Sequence, residues 1–190
     1  VGDEFRTASP SHRSFPKTLL VTGGSQGARQ INNLIAEILP SLLSRYRLIH
    51  LSGELDYPRL KGLQRKLPPP LKKNYLLFPF QPMSKVLPQA DLVISRAGAT
   101  TLFELAAAGK PVILIPLSGS ANNHQEKNAR EFAEKGAALV LSGRKISSRK
   151  LLASIRQVMT SPTTRARLSR QIKKWDHPEA VEKISRFLLD

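Results

Sequence analysis

The 190-residue chain contains no cysteine, and aromatic residues make up only 6% of it. The lack of cysteine excludes disulfides, thiolate catalysis and Cys-based zinc sites, and is typical of a reducing compartment. No apolar run reaches the roughly 18 residues of a membrane-spanning helix. The aromatic residues are scattered, so no base-stacking platform is visible. HExxH, GxSxG, EF-hand and C2H2 patterns are also missing, which leaves no metal site or hydrolase triad to predict from a motif.

Acidic side chains are scarce too: 14 Asp and Glu stand against 30 Lys and Arg, for a net charge of +16. Residues 59–73 hold six cations and no acid, and residues 144–190 hold twelve cations and four acids. A charge of this sign and size suits nucleic acid, an anionic membrane surface or an anionic substrate. A basic surface that only meets water is the plainer alternative. The 41% apolar content excludes a disordered chain.

The length suits one domain. Residues 1–16, rich in Ser and Pro, predict a linker or a disordered segment, and residues 17–190 predict one folded domain. The first residue is Val and not Met, so we expect a piece of a longer protein.

Short apolar runs alternate with segments of helical periodicity. Strands are expected at 17–22, 47–53 including a turn, 75–78, 91–95, 111–116 and 138–141. Helices are expected at 31–39 with Pro40 as a stop, then at 56–67, 84–89, 100–108 and 124–136, with two or three more after Gly143. The strands are nearly continuous apolar runs, which indicates burial on both faces. The pattern predicts an α/β fold: a Rossmann-like, doubly wound parallel sheet of about six strands.

A glycine-rich turn, Gly23-Gly24-Ser25-Gln26-Gly27, joins the first strand to the first helix. Glycines let a ligand approach the backbone, and the helix start offers unpaired N–H groups and a positive dipole end to a phosphate. The turn is neither GxGxxG nor a P-loop. A purely structural turn is the alternative. The candidate binding residues here are Gly24, Ser25 and Gln26.

A second segment, residues 95–104, repeats this arrangement after the fourth strand. Gly98 permits close approach, and Thr100 or Thr101 could cap the following helix. Glu104 lies one turn in and could accept hydrogen bonds from both hydroxyls of a ribose. The alternative is a carboxylate that complements the helix dipole. We include Gly98, Ala99, Thr100, Thr101 and Glu104 as candidates.

A polar loop before residue 124 leads into the fifth predicted helix. The amide of Gln125 can donate and accept together, which suits sugar hydroxyls. His124 could act as a base, but a surface or capping role is the simpler interpretation, and Asn122 or Asn123 could cap the helix. All three segments follow predicted parallel strands, where open α/β sheets bind ligands. Together they predict a nucleotide-sugar pocket.

These segments also resemble a known family. GGSQGAR at 23–29, SRAGATTLFELAAAGKPVILIP at 95–116 and HQEKNA at 124–129 are similar to the MurG family of N-acetylglucosaminyltransferases. The resemblance covers roughly residues 17–188 and matches the carboxyl-terminal, donor-binding half of a GT-B glycosyltransferase.

The resemblance implies roles for individual residues. Ser25 would contact the donor diphosphate, Glu104 the ribose, and Gln125 the GlcNAc hydroxyls. The backbone of the stretch Phe80-Gln81-Pro82-Met83 would meet the uracil, and Gln81 within it stands at a usually apolar position. His124 stands where some members carry Gln.

The resemblance also implies an activity for the whole enzyme. It would transfer GlcNAc from UDP-GlcNAc, with inversion, to undecaprenyl-pyrophosphoryl-muramoyl-pentapeptide in peptidoglycan synthesis. It would act peripherally at the cytoplasmic face of the membrane, without a cofactor or a metal. The acceptor site and the base would belong to an amino-terminal half, so no catalytic residue is assigned here and the fragment alone is expected to be inactive.

Two alternatives remain open. One is a stand-alone donor subunit of a split GlcNAc transferase, which docks onto a separate membrane-bound acceptor subunit. The other is a basic nucleic-acid-binding module, although no base-reading element is visible. An upstream reading frame would distinguish the first, and steeply salt-dependent duplex binding the second.

Overall fold

The computed structural model describes residues 5, 16–23, 28–117, 123–143 and 146–179. Six parallel strands form one sheet, so the predicted fold class is confirmed. The strands are β1 (Thr18–Thr22), β2 (Arg47–Leu51), β3 (Tyr75–Phe78), β4 (Leu92–Ser95), β5 (Val112–Leu114) and β6 (Leu139–Val140).

Eight α-helices connect the strands and follow them within this part of the chain. They are α1 (Arg29–Leu43), α2 (Tyr57–Lys66), α3 (Pro69–Lys72), α4 (Met83–Val86), α5 (Ala99–Ala108), α6 (His124–Glu134), α7 (Ser148–Thr160) and α8 (Pro162–Lys173). A 3-10 turn, Leu87–Gln89, extends α4. The predicted third closing helix falls in 180–190, outside the described residues.

The strand order is β3-β2-β1-β4-β5-β6. The chain moves outward from β1 to β3, then returns to place β4 on the free side of β1. β1 and β4 pair in parallel, with Val21 opposite Ile94. Their carboxyl ends therefore form the topological switch point, where an open α/β sheet leaves a crevice for ligands.

Both faces of the sheet are covered, as the apolar strands predict. Leu19 and Val21 belong to a core with α1, α2 and α7. Leu20, between them, belongs to a second core with α5 and α6. Successive strand residues point to opposite faces, so every position of an apolar strand such as β1 is buried.

One predicted helix boundary was wrong, and one short helix was not predicted. Pro40 lies inside α1, which continues to Leu43. Proline removes one backbone hydrogen bond, but Leu42 and Leu43 beyond it are fully buried, and their burial favours the continued helix. The prolines after α2 do end it, but α3 begins within them at Pro69, because proline is well suited to the first helical position.

Candidate active site

A cleft of about 560 Å³ opens at the carboxyl edge of the sheet, between the ends of β1, β2 and β3 and the start of α5. It brings together six of the predicted residues: Gln81, Gly98, Ala99, Thr100, Thr101 and Glu104. The neighbours of Gln81 in the stretch that the resemblance assigns to the uracil also line it, namely Phe80, Pro82 and Met83. The residues of the lining that the sequence interpretation had not selected are Phe5, Thr22, Leu51, Pro79 and Ser84. The cleft reaches the switch point, because Thr22 is the last residue of β1.

The start of α5 faces this cleft with uncapped backbone groups. Gly98 is the N-cap, at φ −73° and ψ 138°, and no side chain caps the helix. The prediction that Thr100 or Thr101 caps α5 is therefore wrong, since both lie inside the helix. The first intrahelical bond is donated by the Leu102 N–H to the Gly98 carbonyl, at 3.0 Å. The N–H groups that precede it have no intrahelical acceptor, which suits an anionic oxygen.

Glu104 lines the same cleft, half-buried, on α5. It is the sixth residue of the helix, and the first turn holds no acid. A dipole role is therefore disfavoured, because that interaction fades beyond the first turn. A carboxylate at a cleft wall, one turn beyond a helix start that no side chain caps, has the chemistry to accept hydrogen bonds from hydroxyl groups of a ligand.

The opposite wall follows β3. Gln81 is half-buried there, and Phe80 is 60% exposed. A large aromatic side chain left in water at a cleft rim offers an apolar face to a planar ligand.

His124 and Gln125 do not line this cleft. They begin α6, whose N-cap Asn123 is left-handed at φ 55° and makes no side-chain cap, so the predicted side-chain capping by Asn123 is wrong. Asn122 lies outside the described residues. His124 is exposed. The Gln125 side-chain oxygen Oε1 accepts from the Leu117 N–H at 3.0 Å, which ties the start of α6 to the chain after β5.

One supporting contact was missed by the sequence interpretation. Asn128, one turn into α6, donates from its side chain to the Ala97 carbonyl at 3.0 Å. Ala97 is fully buried and directly precedes Gly98. The contact therefore ties α6 to the loop that carries the start of α5. The sequence indicates this contact only by an Asn that lies one helical turn after the start of α6.

Positive charge also lies beside this loop. Arg96, half-buried, follows β4, and burial lowers the pKa of its guanidinium. Arginine stays a cation at neutral pH despite such a shift. The loop after β4 therefore has a cation near the helix start.

Gly24, Ser25 and Gln26 lie outside the described residues. Their flanks are described: Thr22 ends β1, and Ala28 is the buried N-cap of α1. The glycine turn thus connects the switch point to the amino end of α1.

The described part of the chain contains neither a metal cluster nor a membrane-spanning helix. Across residues 5, 16–23, 28–117, 123–143 and 146–179, no three His, Asp or Glu side chains come together as a metal site. In the same residues no helix has the length and apolarity required to cross a membrane.

Comparison with known proteins identifies the family. Residues 18–184 match the model of the glycosyltransferase family 28 C-terminal domain. The chain belongs to this family.

Relatives of the family 28 domain carry a specific name. The chain is 38% identical over 170 residues to a protein of Bacillus cytotoxicus, covering 88% of this chain and 46% of that protein. It is 38% identical over 175 residues to a protein of Bacillus cereus, covering 90% and 47%. Both are named UDP-N-acetylglucosamine–N-acetylmuramyl-(pentapeptide) pyrophosphoryl-undecaprenol N-acetylglucosamine transferase. The chain spans about half the length of these relatives.

Solved structures share the fold. MurG of Acinetobacter baumannii superposes with a TM-score of 0.75 at 24% identity, covering 97% of this chain and 51% of that one. The glycosyltransferase VinC, solved with dTDP, superposes with a TM-score of 0.64 at 21% identity, covering 86% and 38%. The family 28 domain therefore has the fold of one half of these glycosyltransferases.

Proposed function

We propose that this chain binds UDP-GlcNAc for a glycosyltransferase that adds GlcNAc to a lipid-linked N-acetylmuramyl-pentapeptide. One observation carries the proposal: Glu104 and the uncapped start of α5 share a cleft at the topological switch point. The names of the Bacillus relatives supply the sugar and the acceptor, since they specify UDP-GlcNAc and an undecaprenol-linked substrate.

Each candidate residue has a proposed contact. The Glu104 carboxylate accepts from the ribose hydroxyls, and the N–H groups at Ala99, Thr100 and Thr101 face phosphate oxygens. Gly98 leaves room for the nucleotide, because a Cβ atom built there meets no atom within 4 Å. The backbone at Gln81 meets the uracil.

The remaining candidates would bind the rest of the donor. Gln125, with His124 beside it, binds the GlcNAc hydroxyls. Gly24, Ser25 and Gln26 would bind the diphosphate from the turn before α1.

The proposed chemistry is displacement at the anomeric carbon. The acceptor hydroxyl forms the new C–O bond with inversion, the bond from that carbon to the diphosphate breaks, and UDP leaves with the electron pair. The proton of the acceptor hydroxyl passes to a base that we place in the other half of the enzyme. This chain contributes fixed N–H donors that stabilise the charge on the leaving diphosphate, and one such donor is typically worth about 3 kcal/mol.

An undecaprenol-linked acceptor resides in a membrane, so the enzyme must work at a membrane surface. We place it peripherally on the cytoplasmic face, with the acceptor site in the half of the relatives that this chain does not cover. The net charge of +16 is compatible with an anionic lipid surface.

Calorimetric titration with UDP tests the proposal. Glu104→Ala removes two charge-assisted hydrogen bonds and is expected to weaken UDP binding by about 2 kcal/mol or more, roughly thirtyfold. Glu37→Ala, which truncates an exposed Glu in the middle of α1, is the matched control and should bind UDP as the wild type does. A folded Glu104→Ala variant with wild-type UDP affinity would contradict the ribose assignment.

A further inference from the structure

A buried network of polar residues connects four elements beneath the carboxyl edge of the sheet. The Tyr75 hydroxyl on β3 lies 3.0 Å from His50 Nδ1 on β2. His50 Nε2 lies 2.9 Å from Asn32 Oδ1 on α1. Asn32 Nδ2 donates to the Ser52 carbonyl at 2.9 Å and to Asp56 Oδ2 at 2.8 Å. All five residues are less than 9% exposed.

The donors and acceptors in this network fit only one placement of the protons. Both hydrogens of the Asn32 amide are donated, so its oxygen faces His50, and Nε2 must carry the proton. Nδ1 then accepts from the Tyr75 hydroxyl. Burial lowers the pKa of His50 to about 3, which keeps the ring neutral and preserves this tautomer at physiological pH.

The outer end of the network is Asp56. Its burial raises the carboxyl pKa, but hydrogen bonds from Asn32 and Arg59 and the charges of Arg59 and Arg29 outweigh that effect, so the net pKa is lowered. Arg59 lies 3.3 Å and Arg29 3.8 Å from Asp56 Oδ1. The anionic form is therefore the one that completes the network.

The placement of Arg29 is unusual for a helix. It is the first residue of α1, whose first turn holds no acid, and a cation is disfavoured at that positive dipole end. Ala28, Arg29, Ser52, Leu55 and Asp56 surround a cavity of about 270 Å³ there. The amino end of α1 thus concentrates positive charge around an open space, and Asp56 partly balances it.

A buried polar network is an expensive way to stabilise a core, because apolar side chains of similar volume often do as well or better. Hydrogen bonds are directional, however. Each bond of the network forms only when the helix or strand of the donor and that of the acceptor hold one relative position. Asn32 lies in the first turns of α1, and its partners lie on β2 and on the turn after it.

We propose that Asn32 is a positioning residue that, through His50, Ser52 and Asp56, fixes the amino end of α1 at the place where its N–H groups meet the donor diphosphate. The inference rests on the proposed function and extends it to a residue outside the donor cleft. Asn32 itself, nearly fully buried, does not touch the donor.

Comparing UDP with uridine tests this inference, since only UDP carries the diphosphate. In the wild type, calorimetry should give tighter binding of UDP than of uridine. Asn32→Ala should reduce this preference about tenfold, the effect of one misplaced charge-assisted hydrogen bond. The affinity of Asn32→Ala for uridine should stay within about twofold of the wild-type affinity, because uridine has no diphosphate to contact.

Three variants distinguish positioning from loss of stability. Asn33→Ala removes the neighbouring exposed amide, which accepts from Arg59 at 2.9 Å, and should keep the wild-type preference. Ile38→Ala opens a cavity further along the same helix and should lower the melting temperature while the preference stays unchanged. Tyr75→Phe removes a single hydroxyl at the far end of the network. It should lower the preference for UDP about threefold, less than Asn32→Ala does, because the contacts of Asn32 itself remain.

The outcomes separate the two proposals. If the wild type binds neither UDP nor uridine, the proposed function fails. If the wild type prefers UDP and a folded Asn32→Ala variant keeps that preference, the positioning inference is overturned. Should Asn32→Ala not fold, an unchanged preference in Tyr75→Phe overturns it equally.

Discussion

Acid should destabilise this protein well before its carboxylates titrate, because of His50. The ring is 0% exposed between β2 and its neighbours, and burial lowers its pKa to about 3. In the unfolded chain a histidine titrates near 6.5. Between these two values the unfolded state binds a proton that the folded state does not, so stability falls as the pH falls through that window.

The size of the effect follows from the two pKa values. At pH 7 the unfolded histidine is mostly neutral, and at pH 5 it is almost fully protonated while the folded one is not. Linkage gives a loss of about 2 kcal/mol in the free energy of unfolding between pH 7 and pH 5. For a domain of this size, that loss lowers the melting temperature by roughly 4–8 °C. The pKa of Asp56 is also lowered, so this carboxylate adds a loss of the same sign, but only at lower pH.

Urea unfolding at pH 7 and pH 5, followed by circular dichroism, measures this loss. His50→Gln should be less stable than the wild type at pH 7, because the Tyr75 and Asn32 contacts are disturbed, and should show little further loss at pH 5. His124→Gln, at an exposed histidine, should keep the wild-type pH dependence. A wild type equally stable at both pH values, or a His50→Gln variant that keeps the full loss, would refute the reasoning.

Two further predictions concern the donor. Gly98→Val should leave the melting temperature nearly unchanged, because φ is −73° and a Cβ there meets no atom within 4 Å, yet should weaken UDP binding about tenfold by filling the cleft; wild-type UDP affinity would contradict this. Gln125→Glu keeps an acceptor for the Leu117 N–H but removes the amide donor, so the ratio of UDP-GlcNAc to UDP affinity should fall; an unchanged ratio in the same calorimeter would exclude Gln125 from the sugar site.

Much of the fold could be predicted from the sequence, because burial on both faces makes each strand a continuous apolar run. The boundaries were less accurate where a local rule competed with packing. The 111–116 run extends beyond β5, Val112–Leu114, although Ile115 is buried and its N–H still donates to the Ser95 carbonyl at the end of β4. Pro40 would end an isolated helix, but the buried leucines after it hold α1 together.

The cleft could be predicted in part. Gly98 and Glu104 belong to one short segment that follows a strand, so a local pattern was sufficient to select them. Leu51 and Thr22 could not be selected in that way, because their place at the cleft depends on which strand ends adjoin. Asn128 was missed for a similar reason, since its partner Ala97 lies 31 positions away.

The buried network shows the limit of local patterns more clearly. Asn32 lies among the apolar residues of α1, and His50 lies inside an apolar strand, so each by itself is only a polar residue in a core. Asn32 and His50 are 18 positions apart in sequence, and His50 and its other partner Tyr75 are 25 apart. A buried polar group is costly unless it is paired, so two such residues on adjacent elements are a signal that they meet.

Strand order explains why residues so far apart can serve one ligand. The turn after β1 and the turn after β4 are separated by more than seventy positions, and they adjoin only because the chain returns from β3 to the free side of β1. A parallel connection that instead continued outward would leave the two turns at distant strands. The proposed nucleotide site is therefore a consequence of the crossover, because the positive ends of α1 and α5 both lie at the switch point. Their combined field favours a diphosphate over a neutral ligand, which is why we expect UDP to bind more tightly than uridine.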